Sequence, residues 1–193
     1  SLALATAFGF LPQLVISIFA GVWADRYNRR YLVIAADLMI ASATLVLALL
    51  YSAGFQGLGL LFVVSAIRSI GAGIQQPAVG AMIPQIVPQA SLMRVNGLFG
   101  TVQSLMQLLS PVVSAALLSS MPMQTVFYID VVTALVAVSI MFMLKIPLHQ
   151  KAMLPATTGY LDDLKDGLRY ARDEPIVRTI LVFYSIFFVL IVP

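Results

Sequence analysis

Cysteine is absent from the chain, and histidine occurs once, at His149. The first absence excludes disulfides and removes the thiolate on which soft-metal sites are built. Charge is scarce too. Only 10% of residues are Asp, Glu, Lys or Arg, where a soluble domain carries about 25%. Apolar residues make up 61% of the 193. No soluble surface can be built from such a set, so the bilayer is the solvent. His149 lies between Leu148 and Gln150 in a polar stretch and reads as a solvated loop residue. The apolar runs hold no histidine and no carboxylates one helical turn apart. An enzyme would therefore lack both a nucleophile–base set and a metal cluster, and no metal or other cofactor is expected.

What the chain does have is a series of apolar runs long enough to span. A spanning helix needs about 20 apolar residues. The runs are Leu2 to Trp23, with Pro12 and Gln13 inside, and Tyr31 to Ser52, with Asp37. Next come Leu58 to Met82, with Arg68, and Leu92 to Leu118, with Pro111. Thr125 to Leu144 holds Asp130, and a sixth run begins near Ile176. Gly54-Phe55-Gln56-Gly57 is a predicted turn, Pro84 to Arg94 a predicted loop, and Ser91 a predicted helix cap. The expected fold is an all-α membrane protein with five complete spans and a truncated sixth. The start lacks a basic stretch before a short apolar segment, so it is not a signal peptide. Ser1 and Pro193 both fall within apolar runs, so a fragment of a longer polytopic protein is expected.

The basic residues set the orientation. The pI is near 9.4, yet the cations form no nucleic-acid face. Of eleven Lys and Arg, Arg68 alone lies inside a span. The rest occupy alternate loops: Arg26, Arg29 and Arg30; then Arg94; then Lys145, Lys151, Lys165, Arg169, Arg172 and Arg178. Connections 53–57 and 119–124 hold none. The positive-inside rule therefore puts loops 24–30, 84–94 and 145–178 in the cytoplasm. In the last loop, Leu161, Leu164, Leu168 and Ala171 share one helical face, with Asp162, Asp163 and Asp166 early and Arg169 and Arg172 late. That pattern predicts an amphipathic helix on the cytoplasmic membrane surface. The predicted organisation is a bundle over 1–146, a linker over 147–175 and the start of a second bundle over 176–193.

Three charges lie within apolar runs: Asp37, Arg68 and Asp130. Each costs about 2.5–3.5 kcal/mol at a helix centre, so each needs a partner or a polar cavity. One reading of Arg68 and Asp130 is a structural pair. The functional one is a substrate and proton pathway, with Asp130 binding and releasing a proton as access changes. Asp37 either joins that pathway or pairs with Arg29 or Arg30 near the interface. Gln75, Gln76, Gln103 and Gln107 either bond substrate or tie helices. Gly71, Gly73 and Gly80 form a small-residue stripe suited to close helix packing.

Gly21-x-x-x-Asp25-Arg26-x-x-Arg29-Arg30 resembles the loop between the second and third helices of the major facilitator superfamily, with Asn28 where that pattern has glycine. Asn tolerates left-handed backbone next best after Gly. Arg68-Ser-Ile-Gly71-Ala-Gly73 resembles the fourth-helix motif of the superfamily, without its Gln. Ser110-Pro111-Val-Val-Ser114-Ala115 resembles the fifth-helix antiporter motif, with Ser and Ala in place of Gly. Gly167-Leu168-Arg169-Tyr170 with Pro175-Ile-Val-Arg178 is similar to the branch of macrolide-efflux proteins and enterobactin exporters.

The resemblance implies helices two to six and the start of seven, with helix one and most of the C-terminal half missing. It implies a conformational latch at Gly21, Asp25, Arg26, Arg29 and Arg30, beyond their plainer role as positive-inside anchors. Gly21 would let a helix of the missing half approach. It further implies a tight kink at Ser110, Pro111 and Ser114 that seals against ion leak. The implied protein is a secondary transporter of the bacterial cytoplasmic (inner) membrane. It would be a proton-coupled exporter of drugs or other amphiphiles working by alternating access. A siderophore exporter or a proton-coupled uptake symporter on the same fold is the alternative. The implied partners are a small-molecule substrate, protons, lipid and the missing half, with no nucleic acid.

Overall fold

The computed structural model describes residues 2–55, 57–144, 146 and 159–191. The helices are α1 (Leu2–Arg26), α2 (Arg29–Ser52), α3 (Leu58–Ile86), α4 (Leu92–Ser120), α5 (Met123–Met143), α6 (Tyr160–Asp173) and α7 (Pro175–Ile191). A single 3-10 turn, Gln89–Ser91, leads into α4. No strand occurs among the described residues. The first five helices are long and apolar enough to cross a membrane, which makes this a multi-pass membrane protein. The chain divides into two compact units, Ser1–Leu154 and Pro155–Pro193.

In the first unit α3 packs against α1 and α2, and α2 also packs against α5. The contacts are made with small residues. Ala20, Ala24, Ala36, Ala41, Ala48 and Ala78 are all buried, because backbones must approach closely where lipid is as apolar as the side chains. Gly71 and Gly73 mark the closest approaches. A Cβ on Gly71 would fall 2.5 Å from Ile40 Cγ1 of α2, and one on Gly73 would fall 2.9 Å from the Gln13 carbonyl oxygen of α1. Gly80 has open space instead, so the predicted stripe is divided. Nearer the α2–α3 turn, Ala43, Leu47, Tyr51 and Val64 form a cluster, and Phe127 of α5 meets Tyr51 edge-on at 5.4 Å.

The turn follows the chemistry of its residues. Phe55 N donates to Leu50 O and Gly54 N to Tyr51 O, a Schellman pair closing α2. Gly54 sits at φ 89°, where a side chain would be strained.

Two expectations need correction. The third span was expected to end at Met82, with a loop from Pro84. Instead α3 continues through Pro77 and Pro84 to Ile86. Each proline removes its own donor and crowds the carbonyl of the preceding turn, and packed neighbours re-satisfy freed backbone groups within a bundle. Ser91 makes no side-chain capping bond to α4 and has helical backbone, because the 3-10 turn already supplies the entry.

α4 has no buried residue among those described, and its main contacts are with α5 and the 3-10 turn. In the second unit, α6 forms where an amphipathic helix was expected, starting after Gly159, with Arg169 within 3.6 Å of Asp173. The side chains of Leu161, Leu164, Leu168, Asp162, Asp163 and Asp166 lie outside the described residues. So do Lys145, Lys151 and His149.

Candidate functional site

The loop between α1, ending at Arg26, and α2, starting at Arg29, is only two residues long. Asn28 makes this possible. Its backbone is extended (φ −64°, ψ 111°), and its side-chain oxygen accepts from Arg30 N at 3.1 Å. Asn28 is thus an N-cap and not the left-handed residue expected of a glycine substitute. The cap satisfies one of the orphan donors of α2 and aims Arg29 inward.

Arg29 is 8% exposed and spends its guanidinium on three partners. Nε donates to Ala24 O at 2.8 Å, Nη1 donates to Ala81 O of α3, and Nη2 lies 3.2 Å from Asp25 Oδ1. The fork geometry of Arg suits such a three-way tie. Arg30 donates through Nη2 to the Phe142 carbonyl of α5 and lies 5.9 Å from the ring centres of Tyr31 and Phe142. Arg26 closes the last turn of α1, where a cation suits the helix dipole. The side chain of Asp25 is 52% exposed. A Cβ added to Gly21 would meet nothing within 4 Å. The chain therefore presents an open face at Gly21 and a loop fastened to α3 and α5.

The intramembrane charges form a second group. Arg68 of α3 forms an ion pair with Asp130 of α5, and its Nη1 also donates to Thr44 Oγ1 of α2 at 2.6 Å. Thr44 Oγ1 in turn donates to Ile40 O at 3.0 Å, which fixes the hydroxyl as acceptor for the arginine. Both side chains of the pair are 41% exposed, so the site is reachable from outside the bundle. Three helices thus meet at one charge pair that is neutral as a whole.

Asp37 belongs elsewhere. Its Oδ1 accepts from Gln75 Nε2 of α3. The expected partners Arg29 and Arg30 are engaged on backbone carbonyls and Asp25, because the N-cap turns them toward α3 and α5. Sequence reasoning left Gln75 and Gln76 undecided; here both tie helices, Gln75 to α2 and Gln76 to Gln13 of α1 at 3.4 Å. Ser110, Pro111 and Ser114 lie in the exposed α4, apart from both groups. Among the described residues no cluster of His, Cys, Asp and Glu could hold a metal ion.

Two contacts of this region escaped the sequence. Thr44 carries no mark beyond being polar in an apolar run. Ser69, next to Arg68, accepts from Gln13 N at 3.0 Å and donates to Gly9 O at 2.6 Å. Small hydroxyl residues within spans are recurrent interhelical glue. That was the available signal, and it names no partner.

Comparisons with known proteins agree with this architecture. The chain is 28% identical to Macrolide efflux protein A of Streptococcus pyogenes over 192 residues, all of this chain and 47% of that protein. It is 28% identical to Macrolide efflux protein A of Enterococcus faecalis over 185 residues, 96% of this chain and 57% of that protein. The MFS-type transporter YfiS of Bacillus subtilis is 24% identical over 171 residues, 88% of this chain and 40% of that one. The chain thus spans about half the length of the curated relatives it matches. No solved structure matches. Residues 1–192 match the family model of the Major Facilitator Superfamily, and with its bundle of apolar helices the chain belongs to that superfamily.

Proposed function

We propose that this chain is one half of a proton-coupled secondary transporter that exports amphiphilic small molecules by alternating access. The reading is of a transporter, not an enzyme. The observation that carries it is the Arg68–Asp130 pair with Thr44, an ion pair within the spans that is half open to its surroundings. Charges there are costly and mark pathways. While Asp130 is ionised, the pair is neutral and α3 is held to α5. Proton uptake by Asp130 breaks the pair and leaves Arg68 with Thr44 alone. The change loosens one face of the bundle and biases it toward the other orientation. The substrate class follows the relatives named as macrolide efflux proteins.

The loop Gly21–Arg30 is proposed as the latch between halves. Arg29 and Arg30 hold it to its own half, while Gly21 and the exposed Asp25 face outward for the partner half. Ser110, Pro111 and Ser114 in α4 are proposed as the leak seal. The membrane is the bacterial cytoplasmic one, with loops 24–30, 84–94 and 145–178 inside.

The test is efflux of a macrolide such as erythromycin by cells making the full-length protein, with and without a protonophore. Efflux abolished by the protonophore and by Asp130→Asn is expected. Efflux that survives both would remove proton coupling through this pair.

A further inference from the structure

We propose that Ser69 is the pin of a hinge in α1, and that α1 bends between Gly9 and Gln13 as the transporter changes state. This rests on the alternating-access reading above.

Pro12 has no N–H, so the rung to the Phe8 carbonyl cannot form. The next rung would join Gln13 N–H to Gly9 C=O. At that rung stands the Ser69 hydroxyl of α3, accepting from Gln13 N at 3.0 Å and donating to Gly9 O at 2.6 Å. A single hydroxyl thus bridges both backbone groups of that rung and satisfies each. A side chain inserted into the ladder is one of the few physical causes of a helix bend. Within a bilayer the freed groups need such a partner, since bare ones are costly. Ser69 is 5% exposed, so water does not compete for it.

The surroundings fit a hinge better than plain glue. On one side of the break, Phe8 stacks on Phe62 of α3 at 5.7 Å. On the other, the Gln13 backbone and Ile16 crowd Gly73, and the Gln13 amide reaches Gln76. Each segment of α1 has its own anchor on α3, and the ladder lacks the Pro12 rung between them. A Cβ at Gly9 would meet nothing within 4 Å, so the segment has room to turn. The Gln13 N–H can pass from Ser69 Oγ to Gly9 O with no group left bare in either state. Such an exchange gives two discrete arrangements. Ser69 also adjoins Arg68 in the chain, so rearrangement of the Arg68–Asp130 pair shifts the hydroxyl that holds α1 open. Ser69 is therefore a positioning residue for the transport step.

The experiment uses the full-length protein in lipid nanodiscs, with residue-resolved amide exchange and erythromycin efflux as readouts. In the wild type, the Gln13 amide should exchange roughly tenfold faster than those of Val15 to Ile18. Equal protection would overturn the hinge. In Pro12→Ala/Ser69→Ala the ladder can close. Gln13 exchange should slow to that of its neighbours, thermal stability should match the wild type, and efflux should fall roughly tenfold. Ser69→Thr keeps the hydroxyl and should keep efflux. Wild-type efflux by the folded double variant would sink the proposal. If that variant does not fold, the wild-type exchange comparison decides alone. Absence of efflux from the wild type would count against the transport reading, and the exchange pattern would still decide the hinge.

Discussion

Arg29 of α2 donates to the carbonyl oxygen of Ala81 in α3 while the same guanidinium holds Ala24 O and Asp25 of the α1 end. Two helix ends and a third helix are joined by one side chain. Arg29→Ala should lower the stability of the bundle by about 2–3 kcal/mol, because buried carbonyls lose a charged donor. Arg29→Lys should recover part of this, since a point charge cannot fork to three acceptors. Unfolding midpoints in detergent would check the order, and equal midpoints for wild type and Arg29→Ala would refute it.

The glycines of α3 should separate by what a methyl group meets. Gly73→Ala drives Cβ to 2.9 Å from a backbone oxygen, which cannot rotate away. A cost of about 1–3 kcal/mol is expected. Gly71→Ala meets the Ile40 side chain at 2.5 Å, which can change rotamer, so the cost should be smaller. Gly80→Ala enters open space and should be neutral or slightly stabilising. Thermal stability of the three variants should rank in that order.

Removing one member of the Arg68–Asp130 pair leaves a charge in the membrane, and removing both does not. Arg68→Ala and Asp130→Ala should each destabilise the protein. The double variant should be less destabilised than their sum by roughly 0.5–3 kcal/mol. A double-mutant cycle on thermal unfolding measures this. Strict additivity would mean that the pair contributes nothing. All three variants should be unable to couple efflux to a proton gradient.

At the α1–α2 loop, Asp25→Asn should leave folding intact, because the carboxylate is half exposed and not buried in the core. It should change the balance of inward and outward states severalfold. Gly21→Leu should do the same by blocking the approach of a partner helix, at no stability cost within this half, since the space there is open. Accessibility of reporter cysteines placed at each face of the full-length protein reads the balance. An unchanged balance in both variants would remove the latch.

Helix count, order and the intramembrane charges were legible in the sequence because the bilayer imposes them. Apolar runs of spanning length and basic residues on alternate loops leave few other arrangements. The partners of those charges were not legible. For Asp37 the sequence offered the pathway or a pair with Arg29 or Arg30 by proximity along the chain, and the structure gives it Gln75 from another helix. The end of α3 was misplaced because proline was read as a stop, when packing carries the helix past it. Asn28 was read for its backbone tolerance and serves through its side chain. The Asp37 partner lies far off in the sequence, and the Asn28 cap is local but depends on a side-chain rotamer; periodicity and composition encode neither.

Pro12 and Pro84 share a detail. In each case the carbonyl three residues earlier takes a donor from another helix: Gly9 O from Ser69, and Ala81 O from Arg29. A proline and its donor are then expected to vary together, though they sit on different helices. A lineage that replaces Pro12 loses the reason to keep a hydroxyl at Ser69, and one that loses the hydroxyl is under pressure to restore the ladder. The same holds for Pro84 and Arg29. Substitutions in these pairs should be tolerated together more readily than one at a time. The mutational history of the chain would then carry a record of which helices touch.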